Sequence, residues 1–138
     1  MEKSQSERRG VIAVIVRDAR FLVIQRSQTV AAPGAYCFPG GGIEVGESEE
    51  QALVRELQEE LSLVVQPKKR LWQSVTPWRV ALSWWLAEFD PAGTPDPNPA
   101  EVASFHWYSA AEMRSLAGLL TSNLAFLEAA EAGEFLLD

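Results

Sequence analysis

The chain has 138 residues, 47% of them hydrophobic and 22% charged, which is the size and composition of one domain able to bury about two-thirds of its unfolded surface. Nineteen acidic residues against twelve basic ones leave a formal net charge of −7, which argues against a general surface for nucleic acid polymers, since such surfaces are basic. A single cysteine, Cys37, excludes an intrachain disulfide, and no apolar run approaches the ~20 residues of a membrane span.

Residues 1–9 are polar and charged, without the apolar core of a signal peptide. They read as a flexible N-terminal arm on a single domain at 10–138, with the cytoplasm as the expected compartment. Residues 10–17 form a nearly continuous apolar run and predict a buried strand. Asp18-Ala19-Arg20 reads as a turn into a second strand at 21–25, so a hairpin. Residues 27–34 read as loop. A short strand at 36–38, carrying Cys37 as a buried residue, runs into Pro39-Gly40-Gly41-Gly42, a loop where the backbone can turn sharply and approach a ligand. Residues 49–63 contain neither proline nor glycine and predict a helix, with Ser48 as N-cap and Gln51 completing a capping box. Pro67 reads as a break, followed by strands at 69–76 and 80–89 on either side of Pro77-Trp78. The second of these is apolar on both faces and therefore central. Residues 91–99 hold four prolines and predict a surface loop. A last strand at 103–108 leads to a capping box at Ser109 and Glu112, a short helix to about Ala117, and a terminal helix at 121–132 with Gly133 as C-cap. Strands, a helix, strands and one or two further helices give an α/β class, a mixed sheet covered by helices on both faces.

The chemistry concentrates on the helix at 49–63. Leu53, Val54, Leu57 and Leu61 fall on one side of a helical wheel, and Glu56, Glu59 and Glu60 crowd an adjacent face at i+3 and i+4 spacing. Like charges at that spacing repel, and an apolar neighbour reduces their solvation. A solvated acidic face would tolerate this; a hard divalent cation such as Mg²⁺, which takes oxygen ligands and keeps several waters, would relieve it. Spacing alone leaves both open.

The stretch from Gly41 to Leu63 resembles the Nudix box, G-x5-E-x7-R-E-U-x-E-E-x-G-U with U a bulky aliphatic residue. Gly41, Glu47, Arg55, Glu56, Leu57, Glu59, Glu60 and Leu63 fall in register, and Ser62 stands where the family has glycine. That glycine closes the helix with positive φ, so serine there is expected to cost about 1 kcal/mol. The resemblance implies an α/β/α sandwich and a pyrophosphohydrolase that cleaves a nucleoside diphosphate linked to another group. It also implies Mg²⁺, with Mn²⁺ as a substitute. Glu56, Glu59 and Glu60 would hold the cation, with a backbone carbonyl near Gly40 or Gly41, and Glu47 as an outer ligand. Arg55 would orient carboxylates. For the base that takes the proton of the attacking water, Glu56 comes first and Glu101 second; Glu101 could equally be a solvated loop charge. Arg26 suits a phosphate contact or a plain surface position. Among five tryptophans, Trp78 suits base stacking best, because Pro77-Trp78 lies between strands. His106 reads as structural.

For substrate, a nucleoside triphosphate ranks first and an ADP-ribose-like sugar second. No tyrosine occurs between Tyr36 and Tyr108, against the diadenosine-polyphosphate pattern, and Pro77 falls one residue short of the ADP-ribose pattern. The competing class is a non-catalytic nucleotide-binding or sensing module on the same fold. Degenerate members of the family typically lose box glutamates, and all four are present here. Partners are expected to be small nucleotides or nucleotide sugars, with no membrane. Homodimers are common in the family, though no interface shows in the sequence.

Overall fold

A computed structural model describes residues 8–138. Its strands are β1 (Arg8–Val14), β2 (Val16–Arg17), β3 (Arg20–Arg26), β4 (Tyr36–Cys37), β5 (Gly40–Gly42), β6 (Val65–Val75), β7 (Val80–Phe89) and β8 (Val102–Tyr108). Its helices are α1 (Glu49–Leu61), α2 (Ala110–Arg114) and α3 (Thr121–Glu131). One mixed sheet runs β5-β1-β7-β6, with β1 parallel to β7 and antiparallel to β5. A second, antiparallel sheet is built on β3, which pairs with β2, β4 and β8.

The strands carry apolar residues on both faces, so each sheet needs cover on both sides. Leu53, Leu57 and Leu61 of α1 pack on one side, against Val11, Ala13, Leu22, Ile24 and Phe89. Phe126 and Leu127 of α3 and Met113 of α2 pack on the other, against Val14, Phe21, Val23, Phe38 and Trp84. This is the α/β/α arrangement. Complete burial of each α1 leucine contributes about 1.5–3 kcal/mol, which holds the helix and its acidic face in place. Among the described residues no helix is long and apolar enough to cross a membrane.

Several elements differ from the sequence expectation. Of the arm at 1–9, residues 1–7 lie outside the described residues, and Arg8 and Arg9 already belong to β1. The apolar run at 10–17 breaks at Ile15 into β1 and β2, which lie in different sheets. Gly40-Gly41-Gly42 is not loop but a short strand, pairing Gly42 with Gly10 and Gly40 with Ile12. A Cβ on Gly40 would overlap the Val11 carbonyl, so the missing side chain is what lets the strands approach. Pro67 does not break the chain: β6 starts at Val65 and carries Pro67 at a register shift on the sheet edge, where a missing N–H costs least. The short helix α2 ends at Arg114 rather than near Ala117. Three expectations are met. β7 is central; Ser48–Gln51 and Ser109–Glu112 form capping boxes; and Ser62 takes the left-handed conformation (φ 54°) that ends α1.

Candidate active site

Carboxylate oxygens of Glu56, Glu60 and Glu101 lie within 4.8 Å of one another. Glu56 and Glu60 come from consecutive turns of α1, and Glu101 from the end of the loop between β7 and β8. The third wall is β5. The Gly40 N–H donates to Glu60 Oε1 at 3.2 Å, and a Cβ on Gly41 would overlap the Glu56 carboxylate. A side chain there would displace that carboxylate.

Electrostatics divide this face of the molecule. Glu60 is 6% exposed, and burial, reinforced by the charge of Glu56, pushes its carboxyl up to about 8. The Gly40 N–H and the Arg26 charge oppose that rise, and the Glu101 charge adds to it. Burial also raises the Glu56 carboxyl, against the pull of the Arg55 guanidinium. Arg55, by contrast, collects carboxylates. Its Nε and Nη2 donate to Glu47 at 2.6 and 2.9 Å, its Nη1 to Glu56 at 3.0 Å and Glu59 at 3.2 Å, and its Nη2 to the Gly42 carbonyl at 2.9 Å. These hydrogen bonds hold Glu47 down to about 2.

A NUDIX domain family model matches residues 6–129, nearly the whole chain. The chain belongs to the Nudix family. The CTP pyrophosphohydrolase of Escherichia coli K12 is 47% identical over 53 residues, 38% of this chain and 39% of that protein. The ADP-ribose pyrophosphatase of Methanocaldococcus jannaschii is 37% identical over 62 residues, 45% of this chain and 36% of that protein. The matched stretches thus span less than two-fifths of these two curated relatives' own lengths. Among solved structures, that of the E. coli ORF135 protein superposes with a TM-score of 0.72 at 30% identity, covering 92% of this chain and 90% of that one.

The box residues of this Nudix domain separate into two groups. Glu56 and Glu60 join Glu101 in the cluster, and Glu47 and Glu59 gather on Arg55. Glu59 borders the cluster from solvent, half-exposed and adding its charge to that of Glu56. Arg26 points its charge at Glu60 and donates from Nε to the Ala31 carbonyl at 2.6 Å. Trp78 is exposed in the β6–β7 turn, beyond the sheet end where Val80 pairs with Arg8, four residues along β1 from the Ile12–Gly40 pair. The near end of the glycine wall, Gly42, pairs with Gly10, two residues from Arg8, which at ~3.3 Å per residue is about 7 Å. His106 is structural in its contacts: Nε2 pairs with Ser104 Oγ at 2.9 Å and the ring stacks on Tyr108.

The donor set fits Mg²⁺. The oxygens are hard, three carboxylates converge, and the glycine wall leaves room for a ligand where a side chain would fill it. The sequence reading missed the residues that hold Glu101 in place, namely Ser27, Thr29 and Asn98. Their only signal was a hydroxyl and amide composition in loops beside proline, which also marks ordinary turns.

Proposed function

We propose that this chain is a divalent-cation-dependent pyrophosphohydrolase. It cleaves the phosphoanhydride bond of a nucleoside diphosphate linked to another group, with water as nucleophile. The observation that carries the reading is the convergence of Glu56, Glu60 and Glu101 within 4.8 Å, two of them in register with the Nudix box.

Glu56, Glu60 and Glu101 would hold the cation, with a carbonyl of Gly40 or Gly41 as a further donor. When bound, Mg²⁺ neutralises phosphate charge and lowers the pKa of water. Arg55 fixes Glu56 by a hydrogen bond from Nη1 at 3.0 Å, shares that nitrogen with Glu59 at 3.2 Å, and holds Glu47 on Nε and Nη2. Arg26 contacts a phosphate oxygen, for which its planar fork is suited. Glu56 takes the proton of the attacking water, with its carboxylate oriented for that step by the Arg55 hydrogen bond. Glu101 is second choice for that step. Glu47, an outer ligand by the box resemblance, is read here as structural, because both its oxygens accept from Arg55.

A nucleoside triphosphate is the first substrate class, supported by the similarity to the CTP pyrophosphohydrolase, and an ADP-ribose-like sugar is the second, supported by the similarity to the ADP-ribose pyrophosphatase. The test is product analysis over a panel of nucleotides with Mg²⁺ or Mn²⁺. Nucleoside monophosphate with pyrophosphate supports the first class, and AMP with ribose 5-phosphate the second. Tight nucleotide binding with no product from any member of the panel would instead favour a sensing module.

A further inference from the structure

The loop between β7 and β8 crosses the C-terminal end of α1, where helix carbonyls lack intrahelical partners. The Asp96 N–H donates to the Leu61 carbonyl at 2.8 Å, and the Asn98 N–H to the Glu60 carbonyl at 2.9 Å. Asn98 then turns the chain. Its own carbonyl accepts from the Glu101 N–H at 2.9 Å and the Val102 N–H at 2.8 Å, and its side-chain Oδ1 accepts from the Ala100 N–H at 3.1 Å. One residue therefore touches the backbone of Glu60 on one side and that of Glu101 on the other. Pro97 and Pro99 flank it and fix their own φ angles, which lowers the entropy lost in ordering the turn.

The loop after β3 grips the same segment from outside α1. The Ser27 N–H donates to the Glu101 carbonyl at 3.0 Å, and the hydroxyls of Ser27 and Thr29 each donate to the Ala100 carbonyl at 3.0 Å. Ser27 is buried. All four backbone polar groups of Ala100 and Glu101 are thus bonded, in a segment that belongs to no helix or strand. This tie holds the backbone of the one cluster carboxylate that α1 does not supply.

We propose that Asn98 and Ser27 are positioning residues that set Glu101 against Glu60, and so fix the affinity of the carboxylate cluster for a divalent cation. The inference rests on reading that cluster as a cation site. Calorimetric titration with Mn²⁺ alone tests it on the wild type, Ser27→Ala, Asn98→Ala, Glu101→Gln and the Asn98→Ala/Glu101→Gln double variant. Asn98→Ala and Glu101→Gln are each expected to weaken Mn²⁺ binding by about 10-fold or more, the scale on which outer partners act on a metal site, and Ser27→Ala to move the same way. The double variant should bind no more weakly than Glu101→Gln alone, because positioning a group already removed has no effect. A loop tie serving stability alone would lower melting temperature and leave Mn²⁺ affinity unchanged, which overturns the proposal. Additive losses in the double variant overturn it too. If Asn98→Ala does not fold, Ser27→Ala decides, since it removes the hydroxyl that bonds Ala100 and keeps the Ser27 N–H on the Glu101 carbonyl. A wild type that binds no Mn²⁺ sinks this proposal and the cation site together, whereas a wild type that binds with variants that match it sinks this one only.

Discussion

Glu47 and Glu60 are both box glutamates, yet one carboxyl is held at about 2 and the other is pushed to about 8. The difference is Arg55. Around its guanidinium, carboxylates of Glu47, Glu56 and Glu59 lie at hydrogen-bonding distance, and Glu44 approaches at 3.7 Å. That region has a counter-charge of its own, which these carboxylates share. Around Glu60 the nearest carboxylates are Glu56 and Glu101, and the relief on offer is one N–H and the more distant Arg26. Carboxylates that share a guanidinium in one place and are crowded without one in another separate a scaffold from the candidate site at α1. Glu56 belongs to both regions: Arg55 holds it, and Glu60 and Glu101 face it.

Removing one charge from each region should therefore break different things. Glu60→Gln is expected to lower turnover by about 10²–10³-fold, the scale of losing one preorganised electrostatic contact, while leaving the metal-free fold intact or slightly stabilised. Steady-state rates with saturating Mg²⁺, paired with a melting curve in chelator, check both halves. Arg55→Ala should do less to the chemistry and more to the scaffold. Turnover should fall about 10–100-fold through the loosened Glu56, and the melting temperature should fall because Glu47 and Glu59 lose their partner. That thermal loss should shrink as salt screens the exposed charges. If Glu60→Gln destabilises the chelated protein more than Arg55→Ala does, the division between the two regions is wrong.

Their opposite pKa shifts give opposite pH dependence. A carboxyl raised in the folded state keeps its proton after the unfolded chain has lost it. For Glu60 stability therefore declines as pH rises from about 4.5 toward 8, with a slope that can approach about 1 kcal/mol per pH unit. Glu47 runs the other way: its contribution is present above about 4.5 and is lost as pH falls toward 2. Urea midpoints of the chelated protein should peak between these windows. Saturating Mg²⁺, or Glu60→Gln, should flatten the alkaline limb and leave the acidic limb alone. An alkaline limb that persists in Glu60→Gln would place the titrating group elsewhere.

Both regions were partly legible in the sequence because their spacing is local. Glu56 and Glu60 are one helical turn apart, and Arg55 reaches Glu59 at i+4, so a wheel and a box register suffice. What a wheel cannot supply is the register between distant elements. That β5 would be a strand, with Gly41 against Glu56, depends on its pairing to β1. Glu101 enters the cluster through a loop whose course is set by bonds to Glu60, Leu61 and Ser27, residues about 35 to 75 positions away. Pro67 was misread for a related reason: proline is excluded from central strands, and only the sheet order shows that β6 is an edge. Trp78, singled out because it lies between two strands, is exposed in the turn that joins them.

The smallest expected effect is at Ser62, and it serves as the control on the comparison. Its φ of 54° and ψ of 35° put an L-residue in the left-handed region, where it closes α1 by donating its N–H to the Gln58 carbonyl at 3.0 Å. That conformation costs a non-glycine residue roughly 1 kcal/mol, and Ser62→Gly removes the cost while adding flexibility to the unfolded chain. The net gain should be below about 1 kcal/mol, read as a small rise in urea midpoint with unchanged slope. Ser62→Val should move the midpoint down, because a β-branched side chain fits that region worst. Neither change touches a carboxylate, so turnover and both pH limbs should stay where they are. A Ser62→Gly variant that gains stability but loses turnover would mean that the end of α1 must stay strained to keep Glu60 aimed at its partners, and scaffold and site would then be one unit rather than two.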